Sequence, residues 1–330
     1  MTTPPPPLTD RFGRRFPYLR LSLTEACNFS CSYCLPNGYQ RCGQHDYLRL
    51  DEIRRLLSAF SAVGLRKLRL TGGEPSLRRD LTAIIQAAAQ TPGLDKLAMT
   101  TNGYLLHKGA RQWREAGLNA LNISLDSLSA ERFQQITGYQ HHRQLLDSID
   151  QCLSLGFRSL KLNAVLLRGL NDAELPAWLD YLRDRSITLR FIELMQTGDN
   201  ADYFARHHLA ADHVEQPLLL AGWQLLPRAA DAGPAREYAH PEFAGRIGVI
   251  APYSKDFCAG CNRLRVTSRG DLRLCLFGEF GVPLRELLQD DADQEALIGR
   301  LGGQLALKTA GHRLHEGMTG ITPHLASVGG

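Results

Sequence analysis

Short apolar runs alternate with stretches of helical periodicity through more than half of the chain. The runs predict strands at residues 19–23, 67–70, 96–99, 120–125, 160–166 and 187–191. Apolar positions three and four apart predict helices at 51–62, 81–89, 108–116, 145–155 and 172–184. Asp51 and Glu52 suit a helix start, where the macrodipole favours acids. Such β–α alternation builds a parallel sheet covered by helices, an α/β fold. Six units are too few to close an eight-stranded barrel, which leaves a doubly wound sheet or an open partial barrel. In either case chemistry belongs at the C-terminal ends of the strands. Those ends carry Thr24 to Cys27, Thr71-Gly-Gly-Glu-Pro75, Thr100 to Gly103 and Ser124 to Asp126. The last two units contribute Lys161 with Asn163, and Arg190 with Glu193 and Met195.

The rest of the chain follows another pattern. Residues 1–17 form a proline- and arginine-rich arm, and 18–195 hold the β–α units. A linker region with a polar helix covers 196–222, and 223–330 form a smaller domain of short strands with a helical stretch at 283–307. The longest apolar stretch, near 217–226, is too short for a membrane span, and no secretory signal opens the chain. A cytoplasmic protein is expected. The net charge of +4 is too small for bulk nucleic-acid binding. Arg11, Arg14, Arg15 and Arg20 cluster early, and Arg263, Arg265, Arg269 and Arg273 late. They read as solvated basic faces or as a concave anion site.

Eight cysteines change the picture more than composition does. Cys42 and Cys152 read as ordinary thiols. Cys27, Cys31 and Cys34 put three thiols on one loop with no second pair nearby, which suits a 4Fe–4S cluster with one open iron better than structural zinc. Cys27-Asn-Phe-Ser-Cys31-Ser-Tyr-Cys34 resembles the signature of the radical S-adenosylmethionine (SAM) superfamily. That resemblance implies SAM chelated by the open iron, and a 5′-deoxyadenosyl radical that abstracts hydrogen. Within it, Gly73 and Glu74 of Gly72-Gly-Glu-Pro75 hold the SAM amino group, Ser124 its carboxylate, and Tyr33 and Met195 its adenine.

Cys258, Cys261 and Cys275 form a second triplet. Spacing leaves zinc open here, with His240 or Glu279 as a fourth ligand. Arg263 and Arg265, two apart on an expected strand, share one face and can clamp phosphate.

From about Phe12 to Gly330 the layout resembles the GTP 3′,8-cyclase family of molybdenum cofactor biosynthesis. The segments that carry it are Leu19-Arg-Leu-Ser-Leu-Thr24, Arg69 to Pro75, Arg190-Phe-Ile-Glu-Leu-Met195, Cys258 to Arg265 and the terminal Gly329-Gly330. The resemblance implies a partial six-unit (β/α) barrel with a smaller C-terminal α+β cluster-binding domain. It implies GTP contacts from Arg20, Arg69, Thr100, Lys161, Arg263 and Arg265, and a second 4Fe–4S cluster whose open iron binds guanine. Arg190, Arg263 and Arg265 act at the reacting nucleotide, Arg190 in binding or radical quenching. The implied reaction removes the ribose 3′ hydrogen, joins C3′ to C8 and yields 3′,8-cyclo-7,8-dihydro-GTP. Implied partners are a reductant such as flavodoxin or ferredoxin, cyclic pyranopterin monophosphate synthase in the same pathway, and a second copy in a homodimer; no nucleic acid or membrane is expected. Glu25, Ala26 and Leu325 depart from the family's pattern. Alternative readings are a radical SAM enzyme that modifies peptides, and a zinc- or cluster-containing binding or electron-transfer protein.

Overall fold

The computed structural model describes residues 5–40, 46–229 and 232–329. Cys42 and Gly330 lie outside the described residues. Six parallel strands form the centre: β1 (Tyr18–Ser22), β2 (Lys67–Thr71), β3 (Lys96–Thr101), β4 (Ala120–Ser124), β5 (Ser159–Leu166) and β6 (Thr188–Glu193). Each agrees with an expected strand to within two residues. The helices between them are α1 (Leu50–Ala62), α2 (Leu81–Ala89), α3 (Leu106–Glu115), α4 (Ala130–Thr137), α5 (His142–Ser154) and α6 (Leu175–Leu182).

The alternation of side chains along each strand separates two environments. Leu19, Leu21, Leu68, Leu70, Leu121, Ile123, Leu162 and Leu189 pack in one core with Ile53, Leu56, Phe60, Ile85, Trp113, Ile149 and Trp178 from the helices. The intervening positions (Arg20, Arg69, Asn122, Lys161, Arg190) face the other side of the sheet.

The C-terminal stretch does not make a sheet of its own. After α7 (Ala201–His207) and α8 (Asp212–Leu220) come β7 (Gln224–Leu225), β8 (Arg236–Ala239), β9 (Arg246–Ile250), β10 (Arg263–Val266), β11 (Asp271–Arg273) and β12 (Val282–Pro283). β9 adds parallel to β6, and β10 adds parallel to β1. The result is one open sheet in the order β12-β11-β10-β1-β2-β3-β4-β5-β6-β9-β8-β7. Among the described residues no helix is long and apolar enough to cross a membrane.

Four expectations need correction. Helix α4 was not foreseen, although Ser129 caps its start by accepting from Arg132 N and Gly138 ends it. The helix expected from 172 begins at Leu175, because the Asn171 amide bonds Asp126 O, Val165 O and Leu167 N and holds the preceding turn. The polar helix of the linker is two helices, α7 and α8. The stretch 283–307 is broken into 3₁₀ turns at Arg285–Leu288 and Asp291–Asp293 before α9 (Gln294–Leu305). Asp290 accepts from Ala292 N and restarts the chain, while Arg285 is turned to Glu52 at 2.9 Å. The arm is anchored too: Leu8 and Phe16 are buried.

Candidate active site

The first cysteine triplet sits on the loop after β1. Cys31 O accepts from Cys34 N and Leu35 N at 2.9 Å, a tight turn that gathers the thiols on one loop. Two supports hold it. Ser30 N and Ser32 N donate to Thr137 O and Ile136 O at the end of α4, and Phe29 stacks on Tyr139 at 4.4 Å. On the other side Gly73 N donates to Thr24 O at 2.8 Å, and Glu74 N to Ala26 O at 2.7 Å. A side chain at Gly73 would place its Cβ 2.3 Å from Ala26 O and 2.5 Å from Glu25 O. The departures at Glu25 and Ala26 leave these contacts intact because they run through backbone; the Glu25 side chain turns to Arg269.

Glu74 is fully buried. One oxygen accepts from Ser76 N and Thr101 Oγ1, the other from Asn102 N at 2.6 Å. Its carboxylate therefore fastens the loop to the end of β3. Burial raises its pKa despite these bonds. Asn102, unassigned from the sequence, donates to Cys27 Sγ at 3.9 Å and to Asn28. Tyr33 donates to Asp126 at 3.0 Å, whose other oxygen accepts from Val165 N. Burial pushes Asp126 up to about 6.

Burial likewise raises the thiols, Cys27 to about 11 and Cys34 to about 12, and Cys31 well above its ordinary value. Thiolates here require positive charge that a metal centre brings. All three are free. A cleft of about 350 Å³ borders Cys34, lined also by Ser32, Tyr33, Asp199 and Tyr203. Ser124 and Met195 do not line this cleft; Ser124 ends β4 beside Asn163, and Met195 O accepts from Asn200.

Strand register assembles the second environment. In one row lie Arg263, Tyr18, Lys67 and Lys96; in the next, Arg265, Arg20 and Arg69. Further along, Thr100 pairs with Asn122, Asn122 with Lys161, and Asn163 with Arg190. All six GTP-contact candidates and Arg190 thus share one face. Arg69 Nη1 reaches Thr100 Oγ1 at 3.4 Å, and Arg190 donates to Asn163 at 3.0 Å and Asn122 at 2.6 Å. Burial, then neighbouring cations, lower Arg190 to about 9, Arg265 to about 10 and Lys161 to about 8. Burial would raise the Tyr18 phenol, but Arg69, Arg20, Lys67 and Arg263 together bring it down to about 7. Tyr18 and Lys67 escaped sequence reasoning; only their place two residues before Arg20 and Arg69 could have suggested a shared face.

The second triplet adjoins this face. Cys261 lies two residues before Arg263, and Arg263 with Lys308 and Arg14 lowers its thiol pKa against burial. Arg14 of the arm donates to Cys258 O at 3.0 Å, Thr309 O at 2.7 Å and Ala310 O at 2.6 Å. Zinc ligation by His240 or Glu279 finds no support. His240 packs on Trp223 and Phe243, and Glu279 is exposed. Among the described residues no three His, Cys, Asp or Glu side chains are gathered as for a single ion; a 4Fe–4S cluster spreads its three ligands over three irons. Of the remaining late arginines, Arg273 clamps Gly278 O and Thr322, and Arg269 pairs with Glu25. Arg269 is engaged in that ion pair, whereas Arg273 sits opposite Arg265 in register and keeps its Nε buried without a hydrogen-bond partner. Cys152 is buried in the core, its thiol pushed up to about 12.

The C-terminal tail runs from the first triplet to the cationic face. Cys34 meets the backbone N–H groups of Ala326 and Leu325, so the substitution at Leu325 leaves a main-chain contact in place. Gly329 O accepts from Arg265 at 2.8 Å. Gly329 has φ +67°, and a Cβ there would lie 2.3 Å from Thr71 Cγ2. Only a residue without a side chain fits this approach.

These features define a radical SAM protein. The Radical SAM superfamily profile matches residues 21–182, and the Molybdenum Cofactor Synthesis C profile matches 187–314. The chain is 64% identical to a GTP 3′,8-cyclase of Stenotrophomonas maltophilia, covering 98% of this chain and 99% of that one. It is 56% identical to a GTP 3′,8-cyclase of Aeromonas hydrophila, over 98% and 96%. Among solved structures, Streptococcus suis SuiB bound to S-adenosylmethionine shares the fold with a TM-score of 0.63 at 14% identity, over 93% of this chain and 75% of that chain. The chain belongs to the GTP 3′,8-cyclase family.

Proposed function

We propose that this chain converts GTP to 3′,8-cyclo-7,8-dihydro-GTP, the first step of molybdenum cofactor biosynthesis. The observation that carries the reading is the band of cations between two cysteine triplets. Arg69 Nε and Arg263 Nη1 are buried there without a hydrogen-bond partner. Buried cations are costly unless an anion joins them, and a triphosphate matches both their charge and their donor forks.

The residues fit two 4Fe–4S clusters: Cys27, Cys31 and Cys34 for one that binds SAM, and Cys258, Cys261 and Cys275 for one beside the substrate base. When bound, the reduced first cluster and SAM supply the radical that removes hydrogen from the ribose 3′ carbon. The chain's own residues bind and orient. Arg20, Arg69, Lys161, Arg263 and Arg265 hold the phosphates, with Thr100 beside Arg69. Arg190, fixed by Asn122 and Asn163, presents a preorganised cation to the reacting nucleotide. Gly73, Ser124, Tyr33 and Met195 hold SAM, with Glu74 acting through the loop it fastens. The tail at Gly329 excludes water.

Residues 18–195 serve as the radical-generating unit, and 223–330 as the substrate-side unit. A low-potential carrier such as flavodoxin or ferredoxin would supply electrons, and cyclic pyranopterin monophosphate synthase would take the product, in the cytoplasm. The test is anaerobic: cluster-loaded protein, SAM and dithionite, with 5′-deoxyadenosine measured with and without GTP and the nucleotide identified by mass spectrometry and NMR. Deoxyadenosine that rises with GTP, together with a 3′,8-cyclised nucleotide, is expected. GTP recovered unchanged by protein with both clusters intact would refute the assignment.

A further inference from the structure

The charge on the cationic face is not all of one sign. Glu237 on β8 binds the Lys161 ammonium on β5. The residues are 76 apart in sequence and meet because β9 extends the sheet beyond β6: Arg190 and Glu237 both pair with Gly248, from opposite sides. Both side chains keep access to solvent, 19% for Lys161 and 28% for Glu237, so a ligand on this face can reach either. The other charges acting on the pair are Arg190 on β6, Lys96 on β3 and Arg246 on β9.

A lysine among these cations is poorly placed without a counter-ion. Glu237 supplies one, but its carboxylate also repels the phosphates that the same cations would bind. A partly exposed carboxylate–ammonium pair is weak, so exchange of one anion for another costs little. Phosphate oxygens offer Lys161 a more highly charged replacement.

We propose that Glu237 is an exchangeable counter-ion, a positioning residue that holds Lys161 in the empty protein and yields it to the phosphates of an incoming nucleoside triphosphate. This rests on the GTP reading above. The test is calorimetric binding of GTP, and separately of guanosine, to the anaerobic cluster-loaded protein. Glu237→Gln keeps an acceptor for Lys161 and removes the charge. GTP is expected to bind roughly threefold tighter to this variant, as loss of a weak competing ion pair implies, with guanosine affinity unchanged. In a Lys161→Gln background the gain for GTP should shrink. Glu237→Ala gives the same reading should the glutamine variant not retain its clusters. Unchanged or weaker GTP binding, or an equal gain for guanosine, would overturn the inference while leaving the substrate reading intact. Failure of the wild-type protein to bind GTP would overturn both.

Discussion

Gly73→Ala tests the join between the first cysteine loop and the second strand. No positive φ is involved at Gly73, so alanine meets no backbone strain and the penalty is spatial. Its Cβ would lie 2.3 Å from Ala26 O, 2.5 Å from Glu25 O and 2.6 Å from Ala26 C, all backbone atoms that cannot rotate away. Relief requires the strand-end loops to part by about 1 Å, because ordinary carbon–oxygen contact begins near 3.3 Å. Parting strains the bonds Gly73 N to Thr24 O and Glu74 N to Ala26 O. Two backbone bonds are worth about 2 kcal/mol net, and overpacking adds about 1–3 kcal/mol. The sum, about 3–5 kcal/mol, falls on the segment that carries Cys27. The expected result is loss of about half the iron and sulfide per chain, as the first of two clusters fails to load. Iron analysis, EPR of the reduced protein and thermal melting would read it. Gly299→Ala is the control: nothing lies within 4 Å of its Cβ in α9, so the melting temperature should hold or rise. Wild-type iron content and melting temperature in Gly73→Ala would refute the packing argument.

Three further outcomes follow from the geometry. Arg265→Gln should weaken GTP binding by about tenfold or more, since a charge-assisted bond is worth about 1.5–3 kcal/mol, while SAM binding persists; calorimetry with each ligand separates the two. Lys161 has its pKa lowered to about 8 from 10.5, first by burial and then by Arg190. Above about 8 the folded chain loses that charge while the unfolded chain keeps it to near 10.5. GTP affinity should therefore fall as pH rises through 8, whereas the Lys161 contribution to folding stability improves across the same window; Lys161→Gln should abolish that stability contribution and reduce the affinity trend to what Tyr18, near 7, and Arg190, near 9, leave on the same face. Arg14→Ala deletes three bonds to Cys258 O, Thr309 O and Ala310 O and the buried ion pair with Asp10, and should lower stability by about 3–5 kcal/mol and deplete the second cluster selectively, seen by denaturant unfolding and iron analysis.

Much of the fold is legible in the sequence, as are the local groupings from which the candidate site is built. The strand and helix periods located all six central strands, and the two cysteine triplets and Arg263 with Arg265 are local arrangements that spacing alone exposes. Helix α4 was missed because its eight residues span little more than two turns, with Phe133 and Ile136 as its buried apolar positions, directly before α5. The break before α9 was missed because Asp290 and Arg285 take their structure from side-chain bonds that apolar periodicity does not encode.

What the sequence by itself determined are features set within a few residues. They are three thiols on one turn, a Gly-Gly-Glu-Pro loop after a strand, and cations at alternate positions of separate strands. What the tertiary structure decided is which of these meet. Arg265 lies beside Arg20 because β10 chooses the edge of β1, and Glu237 reaches Lys161 because β9 chooses the edge of β6. Arg14 grips Cys258 O across 244 residues of chain. Edge choice and register depend on burying whole strand faces together against the loss of chain entropy. That balance belongs to the assembled sheet, so no local stretch of sequence carries it.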